Sequence, residues 1–260
     1  MILWSLLRAV LGHRHGIANN LPLTVLLEAL AVALTLYLYR SAALAMGGGD
    51  GIRYFSFVVT GECSIALPLV CMRAPLEALQ EARALGVLEI LAAGPGSLAR
   101  AAVTLSFSRV GREILRVLMM LAGAFALGGL AEGFAVGPWI FAQAAALPLF
   151  LSIGCACAAL QIATGRGGAV PYWLCTVAVV GAGVYFPTSQ LPSAVKTALD
   201  LLSPFNLHVA LSRAAVTDGA RDGALILRWV ALTAAALALG PFVLERARRW
   251  AEGRGSWGAQ

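Results

Sequence analysis

Apolar runs of about membrane-crossing length alternate with short polar breaks along the chain, and this alternation predicts six spanning helices. Span one reads from Leu21 to Tyr39: Asn19-Asn20 can cap it, Pro22 suits its first turn and Arg40 ends it. Glycines 47–49 lead into span two, Tyr54 to Cys71. Span three, 114–131, opens with its first turns still charged, and Gly137-Pro138 turns the chain into span four, 139–162. The link Thr164-Gly165-Arg166-Gly167-Gly168 precedes span five, 170–186, and span six covers 224–244 before Glu245-Arg246-Ala247-Arg248-Arg249.

The segments between the runs have patterns of their own. Ile2, Leu3, Leu6, Leu7, Val10 and Leu11 follow helical spacing beside Trp4, which predicts an interfacial helix over 1–20 rather than a signal peptide. From Met72 to Arg116 charge returns. Pro75 opens a helical stretch that Gly94-Pro95-Gly96 closes, with Leu76, Leu79, Val87 and Ile90 on one face and Glu77 and Glu81 off it. The fold class is therefore all-α: an interfacial helix over 1–20, a six-helix membrane domain over 21–245 and a polar tail over 246–260.

Composition agrees with this layout. Of 260 residues 60% are apolar and 12% charged, about half the roughly 25% of soluble domains. The mean hydropathy is +0.82. A soluble globule of this size has no interior for so much apolar surface. The net charge of +6 and pI near 9.4 do not indicate nucleic acid, because topology accounts for them. With both termini in the cytoplasm, that side holds Arg8, Arg14, the six arginines from 73 to 116, Arg166 and the four from 246 to 254. The outer side keeps Arg40, Arg53, Lys196, Arg213, Arg221 and Arg228, so the positive-inside rule favours this orientation.

Candidate chemistry is sparse. Lys196 is the sole lysine and no glycine precedes it in Ser193-Ala194-Val195-Lys196-Thr197, so no phosphate-binding loop is present and any ATPase is another chain. HExxH and G-x-S-x-G are absent. His13, His15 and His208 form no metal cluster, and the five cysteines lie in apolar runs as buried thiols. Ionisable groups inside spans are costly and often functional, which draws attention to Glu28 and Glu62, and polar Gln143 and Gln161 raise the same question in span four. Each also has a plain reading as a hydrogen-bonded side chain between packed helices.

Three segments carry a resemblance. Glu81-Ala82-Arg83-Ala84-Leu85-Gly86-Val87-Leu88-Glu89-Ile90-Leu91-Ala92-Ala93-Gly94-Pro95-Gly96-Ser97 resembles the G-T-L-E…P-x-S segment of ABC-2 type transporter permeases, with Val87 in place of the usual Thr. Gly183-Val184-Tyr185-Phe186-Pro187-Thr188-Ser189-Gln190-Leu191-Pro192, followed by Ser203-Pro204 and Arg213, resembles the family's G-x-x-F-P-x-x-x-L-P…N-P…R pattern after span five. The run Tyr54 to Gly61 is similar to the family's opening of span two.

The resemblance implies a permease subunit in a bacterial cytoplasmic (inner) membrane. It would pair with a second permease subunit and with a separate ATPase that carries ATP and Mg, and bind no cofactor itself. It implies a coupling helix at the ATPase, with Arg73, Glu77, Glu81, Arg83, Gly86, Leu88 and Glu89 as the contact. It also implies short outer helices that dip back into the membrane over 187–213, turned by Pro187 and Pro192. Glu28, Glu62, Gln161, Tyr185, Phe186, Pro187 and Pro192 are then candidates for the translocation pathway and its gate, and the cargo is an amphipathic lipid, natural product or polysaccharide. The alternative on the same residues is a proton-coupled secondary transporter using Glu28 and Glu62. An intramembrane enzyme has no nucleophile–base pair to stand on.

Overall fold

The structure, a computed structural model, describes residues 21–46, 48–93, 97–128, 130, 135–164, 167–216 and 223–253. The expected interfacial helix over 1–20 lies outside these residues. Among them no strand occurs, and nine α-helices follow in order: α1 Leu21–Met46, α2 Gly48–Ala84, α3 Leu88–Ala93, α4 Leu98–Ala126, α5 Val136–Thr164, α6 Val170–Gly181, α7 Ser193–Leu202, α8 Pro204–Val216 and α9 Gly223–Gly253.

Four of these are long and apolar enough to cross a membrane: α1 over Val25–Ala45, α2 over Gly51–Ala84, α5 over Val136–Thr164 and α9 over Ile226–Gly253. This is the pattern of a multi-pass membrane protein. Two expected spans differ. The third is the 29-residue α4, whose central turns carry Arg109, Arg112, Glu113 and Arg116. The fifth stops as a helix at Gly181 after 12 residues, about 18 Å of rise against a hydrocarbon core near 30 Å. The expected break between span six and the tail is also absent, since α9 continues through Glu245 to Gly253.

Helix α2 is the centre of the bundle. Its apolar window is 72% buried, against 11% for those of α1 and α9, which leave their apolar sides facing outward. α2 packs on α1, α4 and α5, while α5 packs on α9 and α8. Small residues set the spacing: a side chain on Gly240 of α9 would run into the backbone carbonyl of Ser152 on α5.

The stretch expected to form one helix from Pro75 to Gly94 is divided. Pro75 lies inside α2, which runs unbroken to Ala84. A turn follows in which Gly86 takes φ 68°, a conformation natural only to glycine, and the short α3 begins at Leu88. The turn resets the helical phase, so Leu76 and Leu79 are buried whereas Ile90 is 49% exposed.

Candidate functional site

Acidic residues on α2 and basic residues on α4 fall on facing stripes because of their spacing. Glu62, Arg73, Glu77 and Glu81 recur at intervals of 11, 4 and 4, and Arg109, Arg112, Glu113 and Arg116 at 3, 1 and 3, which keeps each set on one side of its helix. Where the helices meet, the stripes pair. Arg109 bridges two carboxylates one turn apart, Nε to Glu77 Oε2 at 3.2 Å and Nη2 to Glu81 Oε2 at 2.8 Å. Arg116 binds Glu113 at 2.8 Å and approaches Glu62 at 4.0 Å. The Tyr185 hydroxyl donates to Glu62 Oε2 at 3.1 Å, and the Tyr185 ring lies 6.3 Å from that of Tyr39 on α1. From Glu62 to Glu81 the seam rises about 28 Å at 1.5 Å per residue.

Midway along it Glu28, Arg73, Glu77, Arg109, Arg112 and Glu113 line an open pocket of about 190 Å³ between α1, α2 and α4. Arg73 lies 5.7 Å from the centre of the Tyr172 ring, and the Tyr172 hydroxyl donates to Glu77 at 3.2 Å.

A second polar cluster is fully buried between α2, α5 and α8. Pro68 in α2 has no N–H, so the Ser64 carbonyl one turn earlier lacks its helical donor. His208 of α8 supplies one, with Nε2 at 3.0 Å from Ser64 O and 3.3 Å from Gln143 Oε1. A carbonyl can only accept, so Nε2 carries the proton. Gln143 Nε2 donates to Ser212 Oγ at 3.1 Å, and Trp139 Nε1 to Ser64 Oγ at 3.2 Å. Nδ1 of His208 is buried with no partner, and burial pulls the imidazole down to about 4. α8 starts on Ser203, whose Oγ accepts the Asn206 N–H at 3.3 Å with Pro204 in the first turn. At its other end Arg213 stacks over Phe57 of α2 at 3.7 Å and donates to the Phe57 carbonyl at 3.4 Å.

The residues singled out in the sequence are thus distributed over several places. Glu28, Glu62 and Tyr185 come together on the charged seam, with Phe186 half-buried next to Tyr185. Gln161 does not join them, since it lies near the far end of α5, against the turn at Gly168. Pro187 and Pro192 are exposed, the first preceding a 3-10 turn at Thr188–Gln190 and the second preceding α7. Glu77 and Glu81 are engaged with Arg109 inside the chain, Arg73 faces the pocket, and Arg83 is half-buried. Gly86 and Glu89 are exposed at the turn and on α3, and Leu88 is half-buried.

Sequence reasoning missed the basic partners on α4, for which the clustering at 109–116 was the available signal. It also missed the cluster around His208, which Pro68 in mid-span indicated by freeing a carbonyl. Among the described residues no group of His, Cys, Asp or Glu could hold a metal, and all five cysteines are buried free thiols. Compared with models of protein families and with curated protein sequences, the chain matches none.

Proposed function

We propose that the chain is the permease subunit of an ATP-binding cassette exporter. It would move an amphipathic substrate outward across a bacterial cytoplasmic membrane, pairing with a second permease subunit and with a separate ATPase. Both termini would be cytoplasmic. The observation that carries this reading is α3, a short helix set beyond the end of α2 by the Gly86 turn, which buries Leu91 against α2 and α4 and leaves Glu89 and Ile90 exposed. It falls within the segment that resembles the ABC-2 coupling region and displays Glu89 and Ile90 outward. The order and spacing of the three resembling segments support the same reading, and so does the want of a phosphate-binding loop in a chain that would draw its energy from a partner.

In this mechanism closure of the ATPase pair on ATP pushes α3. Because α2 is a single helix from Gly48 to Ala84, a push at its end is carried along the charged seam it shares with α4. The ion pairs there bias the bundle between inward- and outward-facing arrangements. α7 and α8 would serve as the short outer helices. The test is purification from native membranes in mild detergent: an ATP-hydrolysing subunit is expected to follow at about 1:1, and Glu89→Arg to leave insertion intact while uncoupling hydrolysis from transport. Failure of any ATPase to follow, together with normal transport by Glu89→Arg, overturns the reading.

A second reading on the same seam is proton-coupled transport through Glu28 and Glu62, two carboxylates within reach of Arg116. Transport in vesicles driven by a pH gradient without ATP, and lost in Glu62→Gln, would establish it in place of the first.

A further inference from the structure

The pocket between α1, α2 and α4 has charges that feel their neighbours, Glu28 the Arg116 guanidinium and Arg73 the Glu113 carboxylate, without a close ion-pair contact. Arg109 is taken up by Glu77 and Glu81, and Glu113 by Arg116. Arg112, which is exposed, and Glu28 make no ion pair with any described residue. Arg73 likewise makes none, its guanidinium resting near the Tyr172 ring with Nε on its own helix at the Leu69 carbonyl. The pocket therefore offers two cations from α2 and α4 and one carboxylate from α1. Its flanks are apolar and outward-facing: Leu27 and Leu30 on α1, and Ile114, Leu115 and Leu118 on α4, are all at least 41% exposed. Unpaired charge beside lipid-facing surface is costly unless a counter-charge meets it.

We propose that this pocket binds the headgroup of an ethanolamine phospholipid. The phosphate lies between Arg73 and Arg112, where guanidinium forks match its oxygens. The primary ammonium donates to Glu28, and the acyl chains run along the apolar flanks of α1 and α4. Counting the paired groups as well, the lining holds three arginines and three carboxylates, a balance that suits a zwitterion better than an anion. A carboxylate that accepts hydrogen bonds favours a primary ammonium over a quaternary one, which has none to donate. About 190 Å³ has room for roughly six water-sized groups, the scale of such a headgroup. This inference rests on the membrane reading of the helices and is independent of what powers the chain.

The test is native mass spectrometry of the full chain in detergent, titrated with ethanolamine, choline and glycerol phospholipids of identical acyl chains, and with inorganic phosphate as competitor. The wild-type chain is expected to retain the ethanolamine lipid at the lowest concentration. Arg112→Gln should weaken retention about tenfold, as for the loss of one charge-assisted contact. Glu28→Gln should abolish the preference for ethanolamine over glycerol headgroups while leaving glycerol lipid bound. Arg112 is exposed, so its substitution leaves the fold intact and the experiment decisive even where Arg73→Gln does not fold. Equal retention of choline and ethanolamine lipids, unchanged retention by Arg112→Gln, or displacement of the lipid by millimolar phosphate overturns the proposal, the last by showing a simple anion site.

Discussion

His208 gives the sharpest stability prediction. Its imidazole is 1% exposed among Phe150, Phe205 and Trp229, with Ser64, Gln143 and Ser212 as polar neighbours and no charged group in the cluster. Nε2–H is committed to the Ser64 carbonyl, so an added proton must enter at Nδ1, which is buried without an acceptor. Burial lowers the group from 6.5 to about 4. Between those values the unfolded chain holds more protons than the folded one, so stability is full above about pH 6.5 and declines as pH falls toward 4. At 1.36 kcal/mol per pH unit, acidification from pH 7 to 5 should cost about 2 kcal/mol. For a chain of this size that is roughly 4–8 °C in Tm. His208→Gln keeps a donor for Ser64 O and removes the titration. The assay is thermal unfolding of both proteins in detergent across pH 5 to 8. The wild-type curve should be steeper than the variant's by that amount, and equal slopes would refute the reasoning.

Three further outcomes follow from the packing. Arg109→Ala removes the cation that Glu77 and Glu81 share; the pairs are partly exposed, so about 1–2 kcal/mol is expected, recovered by adding Glu77→Gln and Glu81→Gln and read by thermal unfolding. Gly240→Val drives a side chain into the Ser152 carbonyl, should cost 1–3 kcal/mol or more in the same assay because backbone cannot swing aside, and should contrast with a near-neutral Gly253→Ala. Tyr185→Phe removes the hydroxyl on Glu62 at 3.1 Å and is expected to alter transport to the same extent as Glu62→Gln, with the double variant no worse than either; additive losses would separate the two residues.

Much of the helical layout was legible because an apolar run of 20 residues has few other uses. Cys71, Leu76 and Leu79 looked like parts of two elements, yet all lie on α2, since Pro75 bends no break into a helix held on several sides by α1, α4 and α5. The end of α6 at Gly181 was not legible. Val184, Tyr185 and Phe186 are as apolar as a span, and only tertiary contact with Gly61 and Glu62 assigns them to a turn instead. His208 lies in the apolar run Phe205 to Leu211, which shows that the stretch is covered but not which partner the imidazole meets. It is buried because α8 turns that face inward, with Leu207, Val209 and Ser212 also covered. Pairing between stripes is likewise a property of two helices together: the spacing 62, 73, 77, 81 shows one face, and the spacing 109, 112, 113, 116 another, but nothing in either names its partner.

The seam raises the question of why a membrane bundle retains so many charges. A single ionised side chain at mid-bilayer costs roughly 2.5–3.5 kcal/mol on insertion scales, and pairing removes most of that cost without fixing one arrangement. Arg116 illustrates the point. It holds Glu113 on its own helix at 2.8 Å and has Glu62 of α2 within 4.0 Å, while Glu62 is also held by Tyr185. Arg116 thus has one acceptor on its own helix and a second across the seam, beside the Tyr185–Tyr39 contact at one end, while Arg109 has two acceptors one turn apart at the other. Under the proposed function either driving force would act on this ladder: a push on α3 would move it mechanically, whereas protonation of Glu62 or Glu28 would move it by removing a partner. The seam therefore does not by itself separate an ATP-driven from a proton-driven transporter. The separation lies at α3, whose exposed Glu89 and Ile90 are where the proposed ATPase would make contact, and a substitution at Glu89 that spares the ladder tests one mechanism without disturbing the other.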